Sequence, residues 1–176
     1  MRILVVVASR HGSTLELAQA MGQALQDHAV TTQIRGADDV PESGVGSVEE
    51  FDGVLLGSAL YSQRWLEAAT RFARDRSQSL QARPVWLFSS GAVGNPGLHE
   101  GPQELDELRR LTGAREHRLF PGRLDENDLD VEERRVVEEL GAAGGDYRDW
   151  AAVRSWAAQI AEALIARGPG TRYPPR

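Results

Sequence analysis

The chain contains no cysteine, and all 20 of its basic side chains are arginine. Without cysteine there are no disulfides, thiolate nucleophiles, cysteine-ligated iron–sulfur clusters or Cys-type zinc sites. Without lysine there is no Walker A lysine, no Schiff-base chemistry and no lysine-dependent receiver switch. Long apolar runs are also missing. The first one, Ile3–Ala8, is six residues long, too short for a membrane span and too early for a signal peptide. A cytoplasmic protein without an integral membrane segment is expected. Net charge is −6 over 176 residues, which argues against nucleic acid as the main partner.

What is present is organised around residues 1–14. The apolar run Ile3-Leu4-Val5-Val6-Val7-Ala8 passes into Ser9-Arg10-His11-Gly12-Ser13-Thr14 and then into a helical pattern. That order describes a buried parallel strand, a hydroxyl- and glycine-bearing turn and a helix start. The first amides of a helix have no intrahelical partner, and its dipole places partial positive charge there, so the turn is a natural anion site.

Along the chain, Ser13 and Glu16 have capping-box spacing. Leu17, Met21, Ala24 and Leu25 then form one apolar helix face. Val30–Arg35 reads as a second strand near an edge, and residues 36–47 as a loop. Phe51–Gly57 is a third strand, followed by Ser58–Arg64. Trp65, Ala69, Phe72 and Ala73 have helical spacing. Pro84–Ser89 is a fourth strand and empties into Ser90–Gly97. Pro102 and Gly113 bracket a short helix carrying Leu105 and Leu108, and Glu116–Phe120 is a fifth strand.

The alternation then breaks. Residues 121–148 form an insert containing a charged helix over Val131–Leu140, with Asp130 and Glu133 at capping-box spacing. Asp149 is placed to cap a last helix that buries Val153, Ala157, Ile160, Ala161 and Leu164. Residues 168–176 read as a flexible tail, leaving one domain over 1–167. Five strands alternating with helices predict an α/β fold with a doubly wound parallel sheet. With strand order 2-1-3-4-5, the polar strand ends Ser9–Thr14, Ser58–Arg64 and Ser89–Gly97 converge on one edge, where such sheets bind ligands.

Several occupants of this architecture are excluded. The turn has one glycine, Gly12, where a dinucleotide site needs Gly-x-Gly-x-x-Gly. A phospho-receiver needs acids after strands one and three, where Arg10 and Ser58 stand. No Gly-x-Ser-x-Gly elbow surrounds Ser89 or Ser90. A turn of hydroxyls and amides remains, suited to one terminal monophosphate.

Ser9-Arg10-His11-Gly12-Ser13-Thr14 resembles the flavodoxin phosphate loop, with His11 where flavodoxins carry threonine. The pattern Phe51-Asp52-Gly53, Gly57-Ser58-Ala59, Tyr61 and Trp65, together with Gly144-Gly145-Asp146-Tyr147-Arg148-Asp149-Trp150 and the insert, is similar to the flavodoxin-type, menaquinone-dependent protoporphyrinogen oxidases. The resemblance covers about residues 1–165 and implies FMN as cofactor. It assigns the phosphate to Ser9, Arg10, His11, Gly12, Ser13 and Thr14. It assigns the isoalloxazine ring to Ser58, Ala59, Leu60 and Tyr61 and to Ser89, Ser90, Gly91, Ala92, Val93 and Gly94. It also implies a redox partner protein or a quinone, a porphyrinogen substrate, and peripheral attachment to a membrane. The insert helix is, however, polar over most of its surface here.

Each assignment has a structural counterpart. Trp65 and Trp86 suit the core, and Tyr61 is the better aromatic for flavin stacking. His28, His99 and His117 lack ligand spacing and take surface or core roles. Asp125, Asp128 and Asp130 lack an EF-hand pattern, and Tyr147, Asp149 and Trp150 suit a cap and staple. Three functions remain open at this point: an FMN oxidoreductase acting on protoporphyrinogen, an electron-transfer flavodoxin without its own substrate, and a non-catalytic protein of the same fold.

Overall fold

The computed structural model describes residues 1–91, 101–125, 127–139 and 143–166. In chain order the elements are β1 (Arg2–Ala8), α1 (Ser13–Asp27), β2 (Thr31–Gly36), β3 (Gly53–Tyr61), β4 (Arg64–Trp65), α2 (Glu67–Asp75), α3 (Ser77–Gln81) and β5 (Val85–Gly91). They continue with α4 (Leu105–Thr112), β6 (Glu116–Pro121), β7 (Arg123–Leu124), α5 (Val131–Glu139), β8 (Gly145–Asp146) and α6 (Trp150–Ile165).

The parallel strands lie in the order β2-β1-β3-β5-β6, the predicted 2-1-3-4-5 arrangement, with β4 hairpinned onto β3. The central strands are apolar on both faces because helices cover both. Ile3, Val5, Val7, Leu55, Trp86 and Phe88 pack beneath α1 and α6. The alternate positions Leu4, Val6, Val54, Leu56, Val85 and Leu87 pack beneath α2, α3 and α4.

The helices bury the stripes their sequences carry. On α6, Val153, Ala157, Ile160, Ala161 and Leu164 are buried as expected, and Trp156 joins them with no exposed surface. Each fully buried large aliphatic contributes roughly 1.5–3 kcal/mol of transfer free energy. Asp149 caps α6, its Oδ1 accepting from the Ala152 amide at 2.9 Å. Gly113 ends α4 in the left-handed conformation, at φ 64°.

Three local expectations change. Ser13 does not cap α1: Gly12 is the N-cap residue, and no side chain closes the helix start. Trp65 does not begin a helix but lies in β4, and α2 begins at Glu67. The β3–β4 turn is built by Ser62 and Gln63 at φ 48° and 61°, both left-handed. Without glycine or asparagine, that turn has no ordinary sequence signal.

Between β6 and α6, the insert forms an antiparallel β7–β8 pair with helix α5 between the two strands in sequence. Asp130 and Glu133 make the predicted reciprocal capping box: the Glu133 amide donates to Asp130 Oδ1 and the Asp130 amide to Glu133 Oε2, each at 2.9 Å. Among the described residues, no helix is long and apolar enough to cross a membrane.

Candidate functional site

The parallel register places Ala8, Ser58 and Ser89 side by side on β1, β3 and β5. The loops leaving these strands therefore share one rim of the sheet. At the first of them the chain turns through Gly12, whose φ of 81° and ψ of −21° are left-handed. Glycine occupies that region without the Cβ penalty. A Cβ built on Gly12 would meet nothing within 4 Å, so the space over the turn is open. The first amides of α1, beginning at Ser13, carry the positive end of the helix dipole toward that space with no capping side chain. The residues present fit a terminal phosphate on these grounds.

The other two strand ends differ in how their serines are used. Ser58 and Ser89 are fully buried. Ser58 Oγ donates to the Ala59 carbonyl at 2.8 Å and accepts from the Leu66 amide at 2.9 Å. Ser89 Oγ lies 2.7 Å from Trp65 Nε1 and 2.8 Å from His117 Nε2. Strand alternation explains this: both serines follow the parity of Leu56 and Leu87 and point beneath α2 and α4. Their backbones reach the rim, but their hydroxyls do not. Leu60 and Tyr61 end β3, and Gly91 ends β5 close to Leu60. Ala92, Val93 and Gly94 lie outside the described residues, as does His99.

Tyr61 sits beside the β1 loop. The Arg10 guanidinium lies 5.5 Å from its ring centroid and the His11 ring 6.3 Å away. Burial, followed by the nearby Glu133 carboxylate, pushes the Tyr61 hydroxyl up to about 12, so it remains protonated.

The insert folds back onto this loop. Glu133 Oε1 is 2.9 Å from Arg10 Nη1 and 3.2 Å from His11 Nε2, and Asp130 Oδ2 is 3.2 Å from Arg10 Nη2. Burial raises the Glu133 carboxyl, but bonds from the Asp130 amide and His11, and the Arg10 charge, outweigh it and hold it below the usual range. Ser13 Oγ accepts the Arg123 amide at 3.1 Å, which ties β7 to the first turn of α1.

Glu16, expected in a capping box, instead binds Arg148 Nη1 at 2.6 Å and Arg123 Nη1 at 3.4 Å. Arg148 is 4% exposed, also pairs with Asp146 at 2.6 Å, and stacks over Trp150 at 4.4 Å. The Asp146–Trp150 element thus joins the insert to α1. A cleft of about 380 Å³ lies on the insert, lined by Arg123, Leu124, Asp125, Asn127 and Gly144–Asp146. Among the described residues, no group of side chains is arranged to hold a metal ion.

The site residues that sequence reading missed are Arg148, Glu133 and His117. Glu133 was legible only as a cap. His117 offered no spacing signal, because its partner Ser89 is on another strand.

Comparison with known proteins places the whole arrangement in context. The family described as Flavodoxin domain matches residues 4–150. No curated protein matches the chain significantly. Among solved structures, a flavodoxin from the domain Archaea superposes with a TM-score of 0.64 at 20% identity, over 94% of this chain and 99% of that one. A WrbA-like flavodoxin protein from Agrobacterium tumefaciens gives 0.63 at 16% identity, over 95% and 99%. The rubredoxin oxygen:oxidoreductase of Desulfovibrio gigas gives 0.64 at 14% identity, with 96% of this chain matching 37% of that one. At these identities the likeness is one of fold.

Proposed function

The chain belongs to the Flavodoxin domain family, and on that premise we propose that it is an FMN-binding electron-transfer protein. The observation that carries this reading is the open, left-handed turn at Gly12, which leads into an uncapped helix at the end of β1. In this reading Ser9, Arg10, His11, Gly12, Ser13 and Thr14 take the phosphate. Ala59, Leu60 and Tyr61, with the β5 end at Ser90 and Gly91, border the ring. Ser58 and Ser89 support those loops from beneath and contribute backbone only.

FMN supplies one- and two-electron redox chemistry when bound. The protein contributes orientation and electrostatics: hydroxyls and helix amides toward the phosphate, and a protonated Tyr61 toward the ring. A redox partner protein is the expected source or acceptor of electrons. Purified protein is expected to bind one FMN per chain, quenching its fluorescence, and to release it on denaturation. Absence of stoichiometric binding would overturn the assignment and favour a non-catalytic member of the fold.

A second reading, oxidation of protoporphyrinogen with a quinone acceptor, is favoured by the insert. Arg148, Glu16, Arg123 and Ser13 join it to the cofactor end of the fold. The charged face of α5 is unlike a membrane-binding surface, and this weighs toward the electron-transfer reading. Anaerobic mixing of the FMN-loaded protein with protoporphyrinogen separates the two. Bleaching of the flavin, followed by quinone-dependent turnover, would establish the oxidase; no bleaching would leave electron transfer.

A further inference from the structure

A polar chain runs through the apolar layer beneath α2 and α4. Trp65 from β4 is 5% exposed and Ser89 from β5 is 0% exposed, and His117 from β6 completes the chain. Trp65 Nε1 is 2.7 Å from Ser89 Oγ, which is 2.8 Å from His117 Nε2. The proton positions follow from chemistry. An indole N–H only donates, so Ser89 Oγ accepts from Trp65. The Ser89 hydroxyl keeps one proton and a second lone pair for His117 Nε2, and it donates to Nε2 when the ring proton is on Nδ1. Burial, and next the Arg109 charge, push the His117 imidazole down to about 4 against the pull of Glu116. The ring is therefore neutral at physiological pH.

Three segments of the rim converge on this chain. Trp65 anchors the hairpin that carries Tyr61, and its backbone amide is held by Glu104 Oε1 at 2.8 Å. Ser89 is two residues before Gly91, where β5 ends against Leu60 of the hairpin. At Gly101 an added Cβ would lie 2.7 Å from His117 Cε1. The Gln103 amide then donates to the Gln63 carbonyl at 2.9 Å. His117 thus touches β5 at Ser89, reaches the Tyr61 hairpin through Ser89 and Trp65, and lies against Gly101.

We propose that His117 is a positioning residue for the flavin ring: acting through Ser89 and Trp65, it sets the spacing between the Tyr61 hairpin and the β5 end that border the ring. This rests on the FMN reading above. His117 needs no contact with the flavin. It acts because its loss leaves the buried Ser89 hydroxyl, which also holds Trp65 Nε1, short of one of its two partners.

The test compares the wild type with His117→Phe, which keeps a ring but removes the acceptor, and His117→Gln, whose side-chain oxygen can accept in place of Nε2. Affinities for FMN and for riboflavin, the visible circular dichroism of the bound flavin and its midpoint potential are measured. His117→Phe is expected to weaken FMN and riboflavin binding by the same factor, about tenfold, as one misdirected buried polar group would. It should also alter the dichroism and the potential, and His117→Gln should restore all three.

A purely structural histidine would lower stability and leave the dichroism and potential of the bound flavin unmoved, and that result overturns the proposal. Loss confined to FMN, with riboflavin unaffected, would place the effect at the phosphate and also overturn it. If His117→Phe does not fold, Trp65→Phe cuts the chain at its other end and must give the same pattern. A wild-type protein that binds no FMN sinks the cofactor reading and this one together. FMN bound normally by both wild type and His117→Phe sinks only this one.

Discussion

The carboxyl ends of β1 and β5 carry similar residues to opposite uses. At β1 the serine-rich turn lies beyond the strand: Gly12 opens the backbone, and Ser13 stands half-buried at the start of α1, its hydroxyl held by the Arg123 amide. At β5 the serine lies within the strand, and Ser89 is turned into the core to join Trp65 to His117. At the β1 end the helix amides are left without a capping side chain, whereas at the β5 end the serine hydroxyl joins the β4 hairpin to β6. A serine at a strand end is therefore informative about binding only when the strand's face parity is known.

The sharpest way to break this comparison is Gly12→Asp. A Cβ has room there, so the carboxylate would enter the anion space, where like charge costs several kcal/mol. FMN affinity should fall by about a hundredfold or more, while riboflavin binding, which lacks the phosphate, is retained. Equal loss of both ligands in a fluorescence titration would mean that the turn does not hold a phosphate.

Next come the two serines. Ser89→Ala leaves both the Trp65 indole N–H and the His117 Nε2 buried without their partner, at a cost of about 2 kcal/mol in urea unfolding. Ser13→Ala removes one acceptor from a partly exposed amide and should cost about 0.5–1 kcal/mol. If the two costs were equal, the inward and outward roles would not be distinct.

Arg148→Ala tests how firmly the insert belongs to the β1 end. It removes a nearly buried guanidinium from Glu16, Asp146 and Trp150, worth about 1–2 kcal/mol given its half-exposed acidic partners. The clearer signature is faster proteolytic cleavage within residues 122–148 at unchanged core protection in hydrogen exchange.

The smallest effect is expected from Glu133→Gln. The Glu133 carboxylate lies against Arg10 and His11, beside the space proposed for the phosphate. Removing its charge should raise FMN affinity a few-fold at low salt, and the gain should vanish as salt screens it. The folded-state pKa of Glu133 is depressed, so its contribution to stability is present above the unfolded carboxylate range and is lost as pH falls through the folded value. Glu133→Gln should lack that part of the acid destabilisation seen in wild-type urea melts.

Much of the architecture was legible because it depends on local pattern. The apolar runs of β1, β3 and β5, the apolar stripes of α1 and α6, and the caps at Asp130 and Asp149 are short-range signals. The hairpin after β3 was not legible, because Ser62 and Gln63 adopt left-handed angles that their types disfavour. They are held there by the pairing of Leu60 with Trp65 and Tyr61 with Arg64. Reading Trp65 as helical followed from its spacing to Ala69 and Phe72. Those residues do share a buried layer, but Trp65 reaches it from a strand.

By itself the sequence determined the alternation of strands and helices, the polar residues at three strand ends, and the glycine turn before α1. These follow from hydrophobic periodicity and backbone freedom, which act over a few residues. The tertiary structure alone decided which polar groups remain for a ligand. It paired the inward hydroxyls of Ser58 and Ser89 with their partners, drew Glu16 away from its cap to Arg148, and set Glu133 of the insert against Arg10 and His11. Apart from Ser58, whose partners are Ala59 and Leu66, those outcomes depend on contacts between residues 24 to 132 positions apart, where only packing and charge pairing in the folded chain select the partner.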